Sequence, residues 1–185
     1  MAEDQSYPRV KKFFFLFIFI LSFSKANSEN FKFIKIANLN NPWGSSFLNN
    51  DEMIITEKSG LIKIVNIINN QVNDVEHNLN FLEDGQGGLL DILHQENKVW
   101  ISYTENRGNR KTSTSIALAN LDKKNLVFKN IFQANPPINS GYHFGSRLAI
   151  KDNYLYASAG ERGKGMIAQD ASKHPGSIIR IHLDG

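Results

Sequence analysis

The chain has 185 residues, 41% hydrophobic and 21% charged, with 21 Lys and Arg against 18 Asp and Glu, a formal net charge of +3 and no cysteine. That length suits one domain of ordinary size, and no Pro-rich, Ser-rich or charged linker divides it. The basic excess lies in the first 28 residues, where Arg9, Lys11, Lys12 and Lys25 outnumber Glu3 and Asp4; without them the charge is +1, and compositional support for a nucleic-acid or polybasic membrane role is gone.

Lys11 and Lys12 precede residues 13–23, which are Phe, Ile or Leu except for Ser22, and a polar stretch follows at 24–30. A basic flank, a short apolar core and small residues at Ala26 and Ser28 form the pattern of a secretory signal peptide, predicted over 1–28 with cleavage after Ser28. A helix that spans a bilayer takes about 20 apolar residues, so this one predicts export without a stable membrane anchor. The acidic pair Glu3 and Asp4 is atypical of such a leader. The expected location is periplasmic or secreted, and the mature domain is 29–185.

Three segments then repeat one pattern of apolar strand, polar turn, apolar strand and Gly-containing turn: 47–66, 89–105 and 147–162. Aligning Met53-Ile54, Val99-Trp100 and Tyr154-Leu155 gives spacings of 46 and 55 residues. The second and third copies are each followed by another strand-like run, at 113–120 and 177–183. Periods of about 40 to 50 residues with several short strands each mark β-propeller blades. Beyond residue 28 no window carries a sustained helical period, which excludes the helix-rich barrel and doubly wound folds. The fold class predicted is all-β, a β-propeller of which about three N-terminal blades are present. A closed ring needs at least four blades, so the chain is expected to be a partial propeller truncated at its C-terminus, or one whose homodimer closes the ring.

In chain order, Asn41-Pro42-Trp43-Gly44 reads as a turn ahead of the first strand, with the tryptophan filling a gap between blades. The loop Asp84-Gly85-Gln86-Gly87-Gly88 lets backbone approach something closely while presenting the Gln86 amide, and a structural and a binding role both remain open for it. A phosphate cradle is excluded there, because neither Gly-Lys-Ser/Thr nor a helix follows. The stretch 140–163 is the most informative. It sets His143 and Arg147 four positions apart ahead of an alternating run, 148–159, that reverses at Asp152-Asn153, and it closes on Gly160-Glu161-Arg162-Gly163. The match to G-x-G-x-x-A at 163–168 lies in a polar loop rather than a strand-to-helix turn and carries no weight. His77, His94, His143, His174 and His182 lack zinc-type spacing. Of these only His143 sits beside glycines and an arginine at a predicted sheet rim, where it is either a base or an ordinary surface histidine.

Taken together, Asn41-Pro42-Trp43-Gly44, Ile55-Thr56-Glu57-Lys58-Ser59-Gly60, Gly85-Gln86-Gly87-Gly88-Leu89-Leu90-Asp91, Ser102-Tyr103-Thr104, His143-Phe144-Gly145-Ser146-Arg147-Leu148 and Gly160-Glu161-Arg162-Gly163 resemble the glucose/sorbosone dehydrogenase family. Within it they are most similar to the soluble, pyrroloquinoline-quinone (PQQ)-dependent aldose sugar dehydrogenases. The resemblance runs from about residue 31 to 185. It implies a six-bladed propeller with the quinone at the centre of one face, of which this chain is an N-terminal half. It also implies oxidation of an aldose at its anomeric carbon to a lactone, PQQ and Ca2+ as cofactors, and an external electron acceptor.

Residue by residue, the resemblance assigns His143 as catalytic base and places Gln86 at the cofactor and sugar. Glu161 lies near the sugar, and Arg147 supports the histidine motif. Tyr142 stands where the glucose enzyme of the family has an aspartate, which favours the broader aldose branch and makes Tyr142 a substrate contact. The family's Arg-Asn pair, later basic residues and calcium ligands are expected beyond Gly185. The chemistry suits the residues: a neutral imidazole is the side chain poised to accept a hydroxyl proton near neutrality. Two other classes stay open at this point, a non-enzymatic secreted propeller that binds sugars or proteins and a calcium-dependent lactonase.

Overall fold

A computed structural model describes residues 31–185, so the expected signal peptide over 1–28 lies outside the described residues. Lys35–Gly185 is one compact unit, and residues 31–34 ahead of it have no regular structure. Among the described residues no helix is long and apolar enough to cross a membrane.

The described residues hold twelve strands, numbered in chain order, in three largely antiparallel sheets. The first holds β1 (Pro42–Phe47), β2 (Glu52–Glu57), β3 (Leu61–Asn66) and β4 (Val72–His77), and β8 (Asn125–Leu126) adds to β4 in parallel. The second holds β5 (Leu89–Gln95), β6 (Lys98–Asn106), β7 (Thr112–Asn120) and β9 (Lys129–Gln133). The third holds β10 (Gly145–Lys151), β11 (Tyr154–Ala159) and β12 (Ser177–His182). Among the described residues the one helical element is a 3-10 turn at Gly165–Gln169, which overlaps the stretch that matches G-x-G-x-x-A. The three predicted repeats fall one to each sheet, and the reversal predicted at Asp152-Asn153 is the β10–β11 turn, with Asp152 at φ 54°.

Period-two burial shows how the sheets stack. On β6 of the middle sheet Val99, Ile101 and Tyr103 join Ile54, Ile62 and Ile64 of the first sheet in one core. Trp100, on the opposite face of the same strand, joins Leu148, Leu155 and Ala157 of the third sheet in another. Alternate residues of one strand thus feed two cores, which requires a sheet covered on both faces. The Trp100 indole completes the second interface by donating to the Leu183 carbonyl at 2.7 Å.

The leading strands of the sheets, β1, β5 and β10, are tied together across the stack. The His94 amide of β5 donates to Ser46 Oγ of β1 at 3.0 Å. Leu148 N of β10 donates to Asp91 Oδ2 of β5 at 2.7 Å, and Ser102 Oγ of β6 donates to the Ser146 carbonyl of β10 at 2.6 Å. One prediction is corrected here: Pro42-Trp43-Gly44 is the start of β1, not a turn, and Trp43 is 47% exposed rather than filling a gap. β1 is an edge strand, where proline at the first position costs no ladder hydrogen bond. A Cβ on Gly44 would come within 2.7 Å of Asp91 Cα and Leu90 O, so glycine is what lets β1 approach β5.

Candidate functional site

Three loops meet at one end of the leading strands: 84–88 before β5, 140–144 before β10, and 160–163 after β11. The predicted residues Gln86, Tyr142, His143 and Glu161 are carried by these loops. Gln86 N donates to the Gly141 carbonyl at 2.8 Å, while the backbone N–H of His143 donates to Gln86 Oε1 at 2.9 Å. The glycines around Gln86 permit that approach: a Cβ on Gly85 would lie 2.5 Å from the Gly141 oxygen, and one on Gly88 would lie 2.0 Å from the Lys58 oxygen. What the loop's backbone comes close to is therefore the His143 loop and the residue that follows β2. The Gln86 side chain is fixed by its oxygen, and its amide nitrogen makes no hydrogen bond among the described residues.

His143 takes a left-handed conformation, φ 50°, which turns its carbonyl down toward 160–162. A Cβ on Gly160 would lie 1.9 Å from that carbonyl oxygen, so only glycine fits beneath it. Gly160 N donates to the Phe144 carbonyl at 3.0 Å and Arg162 N to that of His143 at 3.3 Å, which stacks the third loop under the second. Glu161, the next residue, then meets the imidazole, its Oε1 accepting from His143 Nδ1. The same carboxylate oxygen accepts the Gly163 amide at 3.1 Å. The hydrogen bond from His143 is the main reason the Glu161 carboxyl is held below its ordinary value, and the Gly163 amide adds to it. With Nδ1 committed to Glu161, Nε2 has no hydrogen-bond partner among the described residues, and the His143 side chain is 55% exposed. Tyr142 lies beside it, also exposed, with ring centroids 6.2 Å apart in an edge-on arrangement.

Arg147 goes elsewhere. On β10, its guanidinium pairs with Asp91 at 3.0 Å and makes no hydrogen bond or ion pair with His143. It supports the junction of the second and third sheets rather than the imidazole itself.

Three features escaped the sequence reading. Asp91 is buried and receives both Leu148 N and Arg147 Nη1; a carboxylate inside the apolar run Leu89-Leu90-Asp91-Ile92-Leu93 was the available signal. Arg162 is buried beneath the His143 loop, and nothing in the strand periodicity marked it. The third is a cavity of about 310 Å³ lined by Asn41, Pro42, Trp43, Lys58, Gly85 and Gln86. His143 and Glu161 do not line that cavity; Gln86 is the residue that links it to them. Lys58 Nζ on its wall donates to the Gly85 carbonyl at 2.8 Å and pairs with Glu83 at 3.4 Å.

Comparison with known proteins places this arrangement among relatives. The family described as Glucose / Sorbosone dehydrogenase matches residues 39–185. The chain is 29% identical over 157 residues to Aldose sugar dehydrogenase YliI of Escherichia coli (strain K12), covering 80% of this chain and 42% of that protein. Among solved structures, the soluble aldose sugar dehydrogenase of Escherichia coli in its apo-form superposes with a TM-score of 0.73 at 28% identity, covering 78% of this chain and 44% of that one. The PQQ-bound aldose sugar dehydrogenase of Streptomyces coelicolor superposes with a TM-score of 0.72 over 82% of this chain and 48% of that one; at 23% identity the likeness is one of fold. The three sheets thus match about half of the aldose sugar dehydrogenase propeller, and the chain spans under half the length of the curated relatives it matches.

Proposed function

The chain belongs to the glucose/sorbosone dehydrogenase family, and we propose that its His143 cluster is the proton-accepting side of a centre that oxidises an aldose at the anomeric carbon to the lactone, with PQQ as hydride acceptor. The observation that carries this reading is the held imidazole. Glu161 takes Nδ1, Gln86 fixes the backbone, and Nε2 is left exposed as an acceptor. That is the geometry of a general base whose tautomer is set by a carboxylate.

In this reading Nε2 takes the proton of the anomeric hydroxyl as the C1 hydrogen leaves with its electron pair. The imidazolium so formed faces the Glu161 carboxylate, which favours the charge that appears on it. PQQ, when bound, supplies the electrophilic carbonyl carbon that receives the hydride, and an external electron acceptor reoxidises it. Gln86 offers its amide nitrogen to a carbonyl of the quinone or a hydroxyl of the sugar, and exposed Tyr142 flanks the sugar.

The residues fit the reactive end of the cofactor, a base beside a neutral donor. Three basic residues in or beside these loops are not free to balance its carboxylates: Lys58 is paired with Glu83, Arg147 with Asp91, and Arg162 is buried. Nor does any group of three or more His, Cys, Asp or Glu side chains that could hold a metal occur among the described residues. The chemistry assigned to this chain is therefore the proton's, and it rests on His143.

The test is His143→Ala in a protein that carries this chain at the full length of its relatives. Loss of a general base costs about 10²- to 10⁴-fold in rate, and quinone binding should be largely kept. Near-normal dye-linked turnover of aldose would return His143 to the role of a surface histidine.

A further inference from the structure

Among the described residues Arg162 is one of the largest fully buried side chains, and none of their carboxylates lies within ion-pair distance of it. An unpaired buried charge is expensive, so its surroundings must compensate through hydrogen bonds. They do, and every contact falls on or beside one loop. Nε donates to the Tyr142 carbonyl at 3.0 Å, and Nη2 donates to the Ser140 carbonyl. Nη2 also donates to Thr112 Oγ1 at 2.7 Å, and Nη1 to the Thr112 carbonyl at 3.3 Å, on the first residue of β7. The Phe144 ring closes the last side, with its centroid 3.5 Å from the guanidinium carbon. Burial pushes the guanidinium down to about 10, still well above neutrality.

The geometry has a direction. Residues 140–144 carry no strand ladder of their own, and the carbonyls of Ser140 and Tyr142 turn inward, away from water. A planar fork of donors answers several carbonyls at once, which neither an apolar side chain nor a compact ammonium does equally. The fork takes the carbonyl just before His143 and the ring just after it. Its own backbone N–H takes the carbonyl of His143 itself, while the preceding residue, Glu161, takes the imidazole. We propose that Arg162 is a positioning residue: it clamps both flanks of His143 onto β7 and fixes the angle at which the imidazole meets Glu161. Its effect on turnover rests on the reading of His143 as base; its effect on the histidine's geometry does not.

The experiment follows the imidazole directly. In the 15N-labelled chain, two-bond 1H–15N correlations distinguish the Nδ1–H from the Nε2–H tautomer, and His143→Ala identifies the His143 signal. The native protein should show His143 as the Nδ1–H form. In Arg162→Met that pattern should give way to an exchanging mixture, with His77 and His94, bonded in the first and second sheets, unmoved. Arg162→Lys, which keeps the charge but not the fork, should fall between. In the full-length context of the relatives kcat should fall by about 10²-fold with KM little changed, as for a misplaced reacting group.

If Arg162→Met does not fold, Arg162→Lys is the variant read. An unchanged His143 pattern in the variant read overturns the proposal. So does collapse of all three histidine patterns in both variants, which would make Arg162 a residue of the fold at large. Full turnover in His143→Ala would refute the base reading yet leave the tautomer result standing, so the two failures are distinguishable.

Discussion

Gln86 Oε1 accepts the backbone N–H of His143 at 2.9 Å, joining residues 57 apart in sequence. A residue that lines the cavity beside Trp43 is therefore the same one whose side chain holds the histidine's backbone. Gln86→Ala removes a neutral hydrogen bond worth about 0.5 to 1.5 kcal/mol, and turnover should fall roughly twofold to tenfold. Because the amide nitrogen is lost with the oxygen, quinone binding should weaken as well, unlike in His143→Ala. A quinone titration beside steady-state rates checks both; weakened turnover with unaltered binding would confine Gln86 to holding the loop.

Glu161 gives the site an acid limit. Its hydrogen bond from His143 holds the carboxyl below its ordinary 4.5. A depressed carboxyl contributes stability that is fully present above the ordinary value and is lost as pH falls through the lowered one. The His143–Glu161 pair should therefore persist from neutrality down past pH 4.5 and loosen only below it. Following the 1H and 15N shifts of the His143 ring, which respond to the charge of the adjacent carboxyl, during acid titration tests this. In Glu161→Gln that acid step should vanish, and an identical acid step in the variant would assign it to another group. Turnover in Glu161→Gln should fall by roughly tenfold, less than loss of the base itself.

How far the sequence could be read follows from which forces are local. The hairpins were legible because alternation is written along each strand: Leu148, Ile150, Leu155 and Ala157 recur every second residue, and Asp152 takes the left-handed turn between them. His143 and Gln86 stood out through their glycine-rich settings, and Glu161 through the family resemblance of its Gly-Glu-Arg-Gly turn. The reason for those settings was not legible, since it lies in contacts between distant loops, such as Gly160 under the His143 carbonyl. Trp43 was misread because Pro42 and Gly44 signal a turn locally, while the third dimension makes one a tolerated edge residue and the other a close approach to β5. Arg162 was illegible for a related reason. An arginine in a Gly-Glu-Arg-Gly turn is usually a solvated residue, and only the carbonyls of Ser140 and Tyr142 and the contacts to Thr112 make it a buried clamp.

Export is tested separately from the site. The basic, apolar and small-residue order of residues 1–28 predicts that the chain, expressed in a Gram-negative host, is translocated and begins near Glu29. Intact-mass measurement on the periplasmic fraction checks the cleavage point. Soluble material that retains residues 1–28 would count against a cleaved leader.

Asp91 and Arg147 form an ion pair at 3.0 Å whose two halves should have very different worth. The Arg147 side chain is 75% exposed, and that of Asp91 is 7% exposed. An exposed partner loses little when truncated, so Arg147→Ala should cost about 0 to 1 kcal/mol. Asp91 does more, because its other oxygen accepts Leu148 N at 2.7 Å, the bond that ties β10 to β5. Asp91→Ala leaves that amide buried without its partner and should cost about 1 to 3 kcal/mol, with the unneutralised Arg147 free to turn to water. Because the loop 140–144 runs directly into β10, loosening this tie should also disturb the His143 signal, whereas Arg147→Ala should leave it in place. Thermal unfolding of both variants, with the His143 tautomer read on each, decides the matter. Equal losses of stability would mean that the surface ion pair, and not the buried bond to Leu148, joins the second and third sheets.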